Sequence, residues 1–225
     1  MTTFKKIAGA GSGSFLAAML SISIAPDLRA DTLSDNLSAL TAGTEAAHGN
    51  TWVTASFATG ASAYTLSSAT LLLANSAPGN AELDLYSDAG EPGSLLSILT
   101  SPASYSGSLL QTIFSGNGFS LSANSIYWLV LKPIGGEFDW AWTASNTGSG
   151  VGFTHTWGVS DDAGLDWFTS DSNPMQFNVA ASAATAVPEP GCLTLLVIGC
   201  ALFGGGCVKR KRLASKHRRP TAYSS

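Results

Sequence analysis

The side chains that could do chemistry crowd between Glu137 and Asp171. The stretch holds Trp140, Trp142, Trp157 and Trp167, the acids Glu137, Asp139, Asp161, Asp162, Asp166 and Asp171, and His155. Phe138, Trp140 and Trp142 recur at every second position, so on a strand they share one face. On a surface that face would be a platform for stacking sugar rings; in a core it would be packing between sheets. Asp161-Asp162-Ala163-Gly164-Leu165-Asp166 concentrates oxygen donors in a loop. Ca²⁺ takes about six to eight oxygens, and this order is not that of an EF-hand. A solvated acidic loop is the plainer reading, and Ca²⁺ at Asp161, Asp162 and Asp166 is the only metal the pattern allows. No other cofactor is implied.

Catalytic constellations are harder to assemble. A glycosidase needs two carboxyls across a cleft, about 5 to 9.5 Å apart, and Glu137 and Asp139 sit two apart on one short strand. A serine hydrolase needs serine, histidine and an acid together. Between residues 31 and 190 the only histidines are His48 and His155, and no serine lies in a G-x-S-x-G elbow. Zinc-ligand spacing is missing as well. The expectation is a protein that is not an enzyme.

Both ends carry different information. Lys5 and Lys6 precede a small-residue apolar run from Ile7 to Ala25, followed by Pro26-Asp27-Leu28-Arg29-Ala30. A positive start, a short apolar run and a small residue at the exit predict a secretory signal peptide over 1–30, cut after Ala30. At the other end, Val187-Pro188-Glu189-Pro190 holds the backbone extended and stops any preceding element. Seventeen residues without a charge follow, Cys192 to Val208, and then Lys209-Arg210-Lys211-Arg212 opens a basic tail over 209–225. The uncharged run would make a helix of roughly 26 Å, close to the hydrocarbon core of a bilayer. The basic cluster resists translocation and stays on the cytoplasmic side. All three cysteines, Cys192, Cys200 and Cys207, belong to this segment, so 31–190 has no disulfide or thiol to use.

The order V-P-E-P, apolar helix, basic end resembles the PEP-CTERM sorting signal. The resemblance covers about 40 of the 225 residues, and its three features stand in the family's order. It implies export by the secretion machinery, transient anchoring in the inner membrane, and recognition by an exosortase-type processing enzyme. Cutting near Pro188–Pro190 would then deliver the domain to the cell surface or extracellular matrix, where exopolysaccharide is an expected partner. In this reading Val187, Pro188, Glu189 and Pro190 are substrate determinants, not catalysts.

Removing both ends changes the charge. Between residues 31 and 190 stand one lysine, Lys132, and fourteen carboxylates, a formal charge of −13 against −4 for the whole chain. Such a domain repels nucleic acid and favours cations, which excludes a nucleic-acid partner.

The elements that must position these residues are short strands between turn signals. They are expected over 52–58, 69–74, 81–87, 95–99, 109–114, 119–121, 126–132, 138–143, 152–157 and 175–180. Pro78-Gly79-Asn80, Gly116-Asn117-Gly118 and Gly135-Gly136 break the chain between them. Pro92-Gly93 suits the centre of a type II turn. Alternation turns Leu83 and Leu85 inward with Glu82 and Asp84 outward. Likewise Met175, Phe177 and Val179 face the core, and Gln176 and Asn178 face water. Ile126–Leu131, apolar on both faces, reads as a central strand. The fold class expected is all-β, an antiparallel β-sandwich of jelly-roll type. Its boundaries are an irregular lead-in over 31–50, the sandwich over 51–180 and a small-residue linker over 181–186.

Trp52–Phe57, Tyr64–Ala69, Leu83–Ser94 and Leu121–Val130 together resemble the choice-of-anchor modules, most closely type R. That resemblance implies a surface-displayed β-sandwich and carries no catalytic residue. A structural or adhesive role is expected; the alternative is a carbohydrate- or Ca²⁺-binding surface module using the Trp140/Trp142 face and the Asp161–Asp166 loop or, one step further, a carbohydrate-active enzyme.

Overall fold

Alternating apolar residues on short strands can bury one face only by packing sheet against sheet. In the computed structural model, which describes residues 30–184, thirteen strands do so in two antiparallel sheets. In chain order they are β1 (Ala30–Asp35), β2 (Thr41–His48), β3 (Trp52–Ala58), β4 (Tyr64–Ala77), β5 (Ala81–Asp88), β6 (Pro92–Ile98) and β7 (Leu110–Ser115). Then come β8 (Ser120–Leu121), β9 (Ile126–Pro133), β10 (Glu137–Thr143), β11 (Phe153–Ser160), β12 (Phe168–Ser170) and β13 (Phe177–Ala183). One sheet runs β1-β13-β4-β10-β2, with β7 and β8 also paired to β4; the other runs β12-β11-β3-β9-β5-β6. The fold is all-β and sandwich-like.

The core lies between the sheets. Phe57 and Val53 of β3, Leu83 and Leu85 of β5 and Leu129 and Leu131 of β9 meet Leu71 and Leu73 of β4, Trp140 of β10 and Phe177 of β13. Each such side chain contributes roughly 1.5–3 kcal/mol by leaving water. β9 pairs with β3 on one side and β5 on the other, as a strand apolar on both faces must.

Four features differ from the sequence reading. The expected lead-in over 31–50 is two strands. β1 pairs with β13 and β2 with β10, burying Leu33 and Ala47 completely. Their small residues show no apolar alternation, so the pairing partners, distant in sequence, decide their conformation. The expected linker over 181–186 is strand through Ala183: Ala181 is fully buried and Ser182 pairs with both Ala30 and Thr65. Small side chains suit a strand flanked on both sides as well as they suit a spacer. The strand at 69–74 is the middle of a fourteen-residue β4. A register shift against β13, where Ala180 meets Ser68 and Ala181 meets Leu66, leaves Ser67 unopposed and breaks the period of two.

The reversal between β5 and β6 is the fourth. The left-handed residue there is Gly90, with φ +87°, and Pro92 already pairs with Asp88, so Pro92-Gly93 is the start of β6 and not the turn centre. Gly93 is needed for space instead, since a Cβ would lie 2.9 Å from Ser87 Oγ.

Candidate functional site

Trp140 and Trp142 do share a face, and it is the inner one. Trp140 is fully buried, donates its indole N–H to the Gln176 carbonyl at 2.9 Å, and meets Phe177 edge-on with centroids 6.3 Å apart. A buried ring cannot offer itself to a sugar, so the two-tryptophan platform is corrected to core packing. Trp142 is half-buried. Its ring lies over Gly43 of β2, where a Cβ would stand 2.7 Å from Trp142 Cε2.

The acidic loop after β11 is organised around its own carboxylate. Asp162 Oδ1 accepts from Ser160 Oγ at 2.8 Å and from the Leu165 and Asp166 amides at 3.0 Å each. Those bonds, the Asp166 amide foremost and then the Ser160 hydroxyl, hold the Asp162 carboxyl below its ordinary value. Asp161 instead accepts from Thr51 Oγ1 at 3.0 Å, and Ala163 donates to the Asn50 carbonyl, tying the loop to the β2–β3 turn. Asp161, Asp162 and Asp166 do not form a common shell: among the described residues no three His, Cys, Asp or Glu side chains stand together as a metal would require.

A cluster that the alternation pattern concealed sits on the outer face of the six-stranded sheet. Asp84 was expected to face water, yet it is fully buried. Lys132 lies directly across from Glu82 in the β5–β9 ladder. Its ammonium donates to Asp84 Oδ2 at 2.8 Å, approaches Glu82 Oε2 at 3.6 Å and stands 4.9 Å above the Trp52 ring. Close by, Trp128 Nε1 donates to Asp88 Oδ1 at 2.8 Å. Burial pushes the Asp84 carboxyl up, against the hydrogen bond and charge of Lys132, and Glu82 adds to the rise. Burial pulls the Lys132 ammonium down, but Asp84, Tyr86 and Glu82 outweigh that and leave it raised. Asp84 Oδ1 has no hydrogen-bond partner among the described residues. It is an acceptor without a donor on a carboxylate whose other oxygen holds the Lys132 cation. The lone lysine of the 31–190 segment was the available signal; its diagonal partner two residues along the neighbouring strand was not.

Gln176 was also expected in water and is fully buried. Its amide donates to the Ala39 carbonyl at 2.7 Å and accepts from Thr41 Oγ1 at 2.6 Å, beneath the β1–β2 loop. Above it a groove of about 690 Å³ opens between Asp35–Ala42 and Thr143–Ser149. The groove is at the far end of β13 from Ala184, roughly 20 Å away at strand rise.

Val187–Pro190, the run 192–208 and Lys209–Arg212 lie outside the described residues, as does the signal peptide up to Arg29. Ala30, the expected last residue of that peptide, opens β1. In comparison with known proteins, the chain matches no family model and no curated protein.

Proposed function

We propose that this chain is an exported surface or extracellular-matrix protein with a structural or adhesive role. A jelly-roll-like sandwich leaves the cell on a signal peptide over 1–30 and is held at the inner membrane by one helix over 192–208. It is then sorted and processed through the signal that resembles PEP-CTERM. The observation that carries the reading is the order Val187-Pro188-Glu189-Pro190, seventeen uncharged residues, Lys209–Arg212. The fold supports it in two ways. Because β13 runs through Ala183, only Ala184, Thr185 and Ala186 separate the domain from Val187. Because Asp31, the first residue left after a cut behind Ala30, pairs with Ala181, both ends of the domain emerge at one pole, leaving the groove at the other. A membrane attached through the C-terminal segment would face the first pole.

The test is the mass of the mature protein from its host, with and without Pro188→Ala and Pro190→Ala. Loss of the residues after about Pro190 in the natural chain, and their retention in the variant, is the expected result. An intact C-terminus through Ser225 in both would leave a plain membrane anchor.

A further inference from the structure

An antiparallel sheet that does not close has edges, and folded proteins protect them with bulges, prolines, charges or shortness. Four of the edges here are protected in this way. β1 has a register shift between Thr32 and Ser34 and carries Asp31 and Asp35. β2 carries Glu45, which pairs with Trp140 and so points inward, a charge that strand addition would bury. β6 begins with Pro92 and shifts register twice against β5. β12 is three residues long.

β7 has none of these. It pairs with β4 over six consecutive residues without a shift, and Leu110-Gln111-Thr112-Ile113-Phe114-Ser115 contains no charge and no proline. Ser115 exchanges both main-chain hydrogen bonds with Thr100, on the side away from β4. Main-chain groups two residues apart point the same way along a strand, so the N–H and C=O of Ile113 and Gln111 also face outward. No described residue bonds to them. Leu110 and Ile113 beside them are 59% and 58% exposed, and a groove of about 340 Å³ runs between this edge and Pro102–Ser106.

We propose that β7 is a self-association edge that pairs antiparallel with β7 of a second copy of this chain. Charge selects that occupant. The described residues carry one lysine and thirteen carboxylates, so two copies repel over most of their surface. From Pro92 to Leu131 there is no charged residue at all, and this stretch supplies β6, β7 and β8. The edge is self-complementary. Setting Gln111 opposite Ile113 of the second copy, with Thr112 on the two-fold axis, satisfies the outward groups of both strands. Thr100, already bonded to Ser115, ends the ladder at that point. The pairing joins two seven-stranded sheets into one and covers Leu110 and Ile113. It does not depend on whether the C-terminal signal is cut.

The experiment uses the full chain in mild detergent, with light scattering for its mass and hydrogen exchange for the amides, across a concentration series. A dimer is expected, with the Gln111 and Ile113 amides slow to exchange in the dimer and fast in the monomer. Ile113→Lys, at an exposed position, is expected to weaken association about tenfold or more, because pairing would bury its charge, while the melting midpoint at concentrations where both chains are monomeric is unchanged. Gln111→Lys serves as the second variant should Ile113→Lys fold poorly. A chain that is monomeric throughout overturns the proposal, as does a dimer that both variants leave intact. Slow exchange of these amides in the monomer overturns it too, since the edge would then be covered by the chain's own residues.

Discussion

Lys132 compensates a carboxylate that has no access to water. In Lys132→Met the aliphatic stem remains and Asp84 is left as a buried charge with neither cation nor full hydrogen bonding. Breaking such a pair costs about 3 kcal/mol, of the order seen when one partner of a buried ion pair is removed. Urea denaturation would measure it. Converting both, Lys132→Met with Asp84→Leu, is expected to recover most of the loss, because a well-packed apolar pair needs no compensation. Equal destabilisation by the single and double variants would show that an uncompensated Asp84 charge is not the source of the loss. Of this cluster the sequence revealed the parts: Glu82 and Asp84 on one face and a single lysine. It did not reveal that Asp84 is fully buried, because burial depends on side chains that the neighbouring strands bring over it.

At the scale of elements, close approach of backbones fixes several residue choices. Gly152 donates its N–H to the Leu33 carbonyl and accepts from the Ala58 N–H, both at 2.8 Å, linking β1 to β3 at the entry to β11. A Cβ there would overlap the Ala58 carbonyl. Gly152→Ala is expected to cost about 2 kcal/mol through overpacking, read as a lower thermal midpoint and faster exchange of the Leu33 and Ala58 region. Strands with strong alternation, such as β3, β5 and β9, were legible to within a residue or two. Those made of small residues were not: β1, β2 and the end of β13 owe their extended form to partners over 40 residues away in the chain. The candidate tryptophan face shows the same limit. Alternation put Trp140 and Trp142 together, but which side of β10 faces the other sheet is a property of the sandwich.

For the molecule as a whole, the titration of its carboxyls sets how stability depends on pH. Asp84 and Glu45 both have raised pKa values, each mainly from burial, with the charge of Asp161 adding to the effect at Glu45. A carboxyl that binds its proton more tightly when folded contributes stability fully present below its ordinary value, 3.8 for Asp84 and 4.5 for Glu45. That contribution is lost as pH rises through the folded pKa. Asp162 has the opposite sign: its contribution is present above 3.8 and lost as pH falls through its lowered folded value. Mutual repulsion among thirteen carboxylates acts in the same direction as Asp84 and Glu45. The thermal midpoint is therefore expected to rise as pH is lowered from 7 toward about 5. Glu45→Gln should flatten that rise. A midpoint that falls steadily over the same range would mean that burial does not govern these two groups.

Taken alone, the sequence determined the all-β class, most strand positions and the excess of negative charge over 31–190. It also determined the order of prolines, uncharged run and basic cluster at the C-terminus. These are local or additive properties: period-two alternation, turn residues and a sum of charges need no knowledge of what lies across the fold. Tertiary structure decided which face of each strand is inside, that Asp84 and Gln176 are buried, and that the acidic loop is closed on Asp162. It also decided that, among the described residues, β7 is the one longer edge strand left without a bulge, proline or charge. Those properties belong to pairs of residues distant in the chain, and only the packing of one sheet on another brings them together.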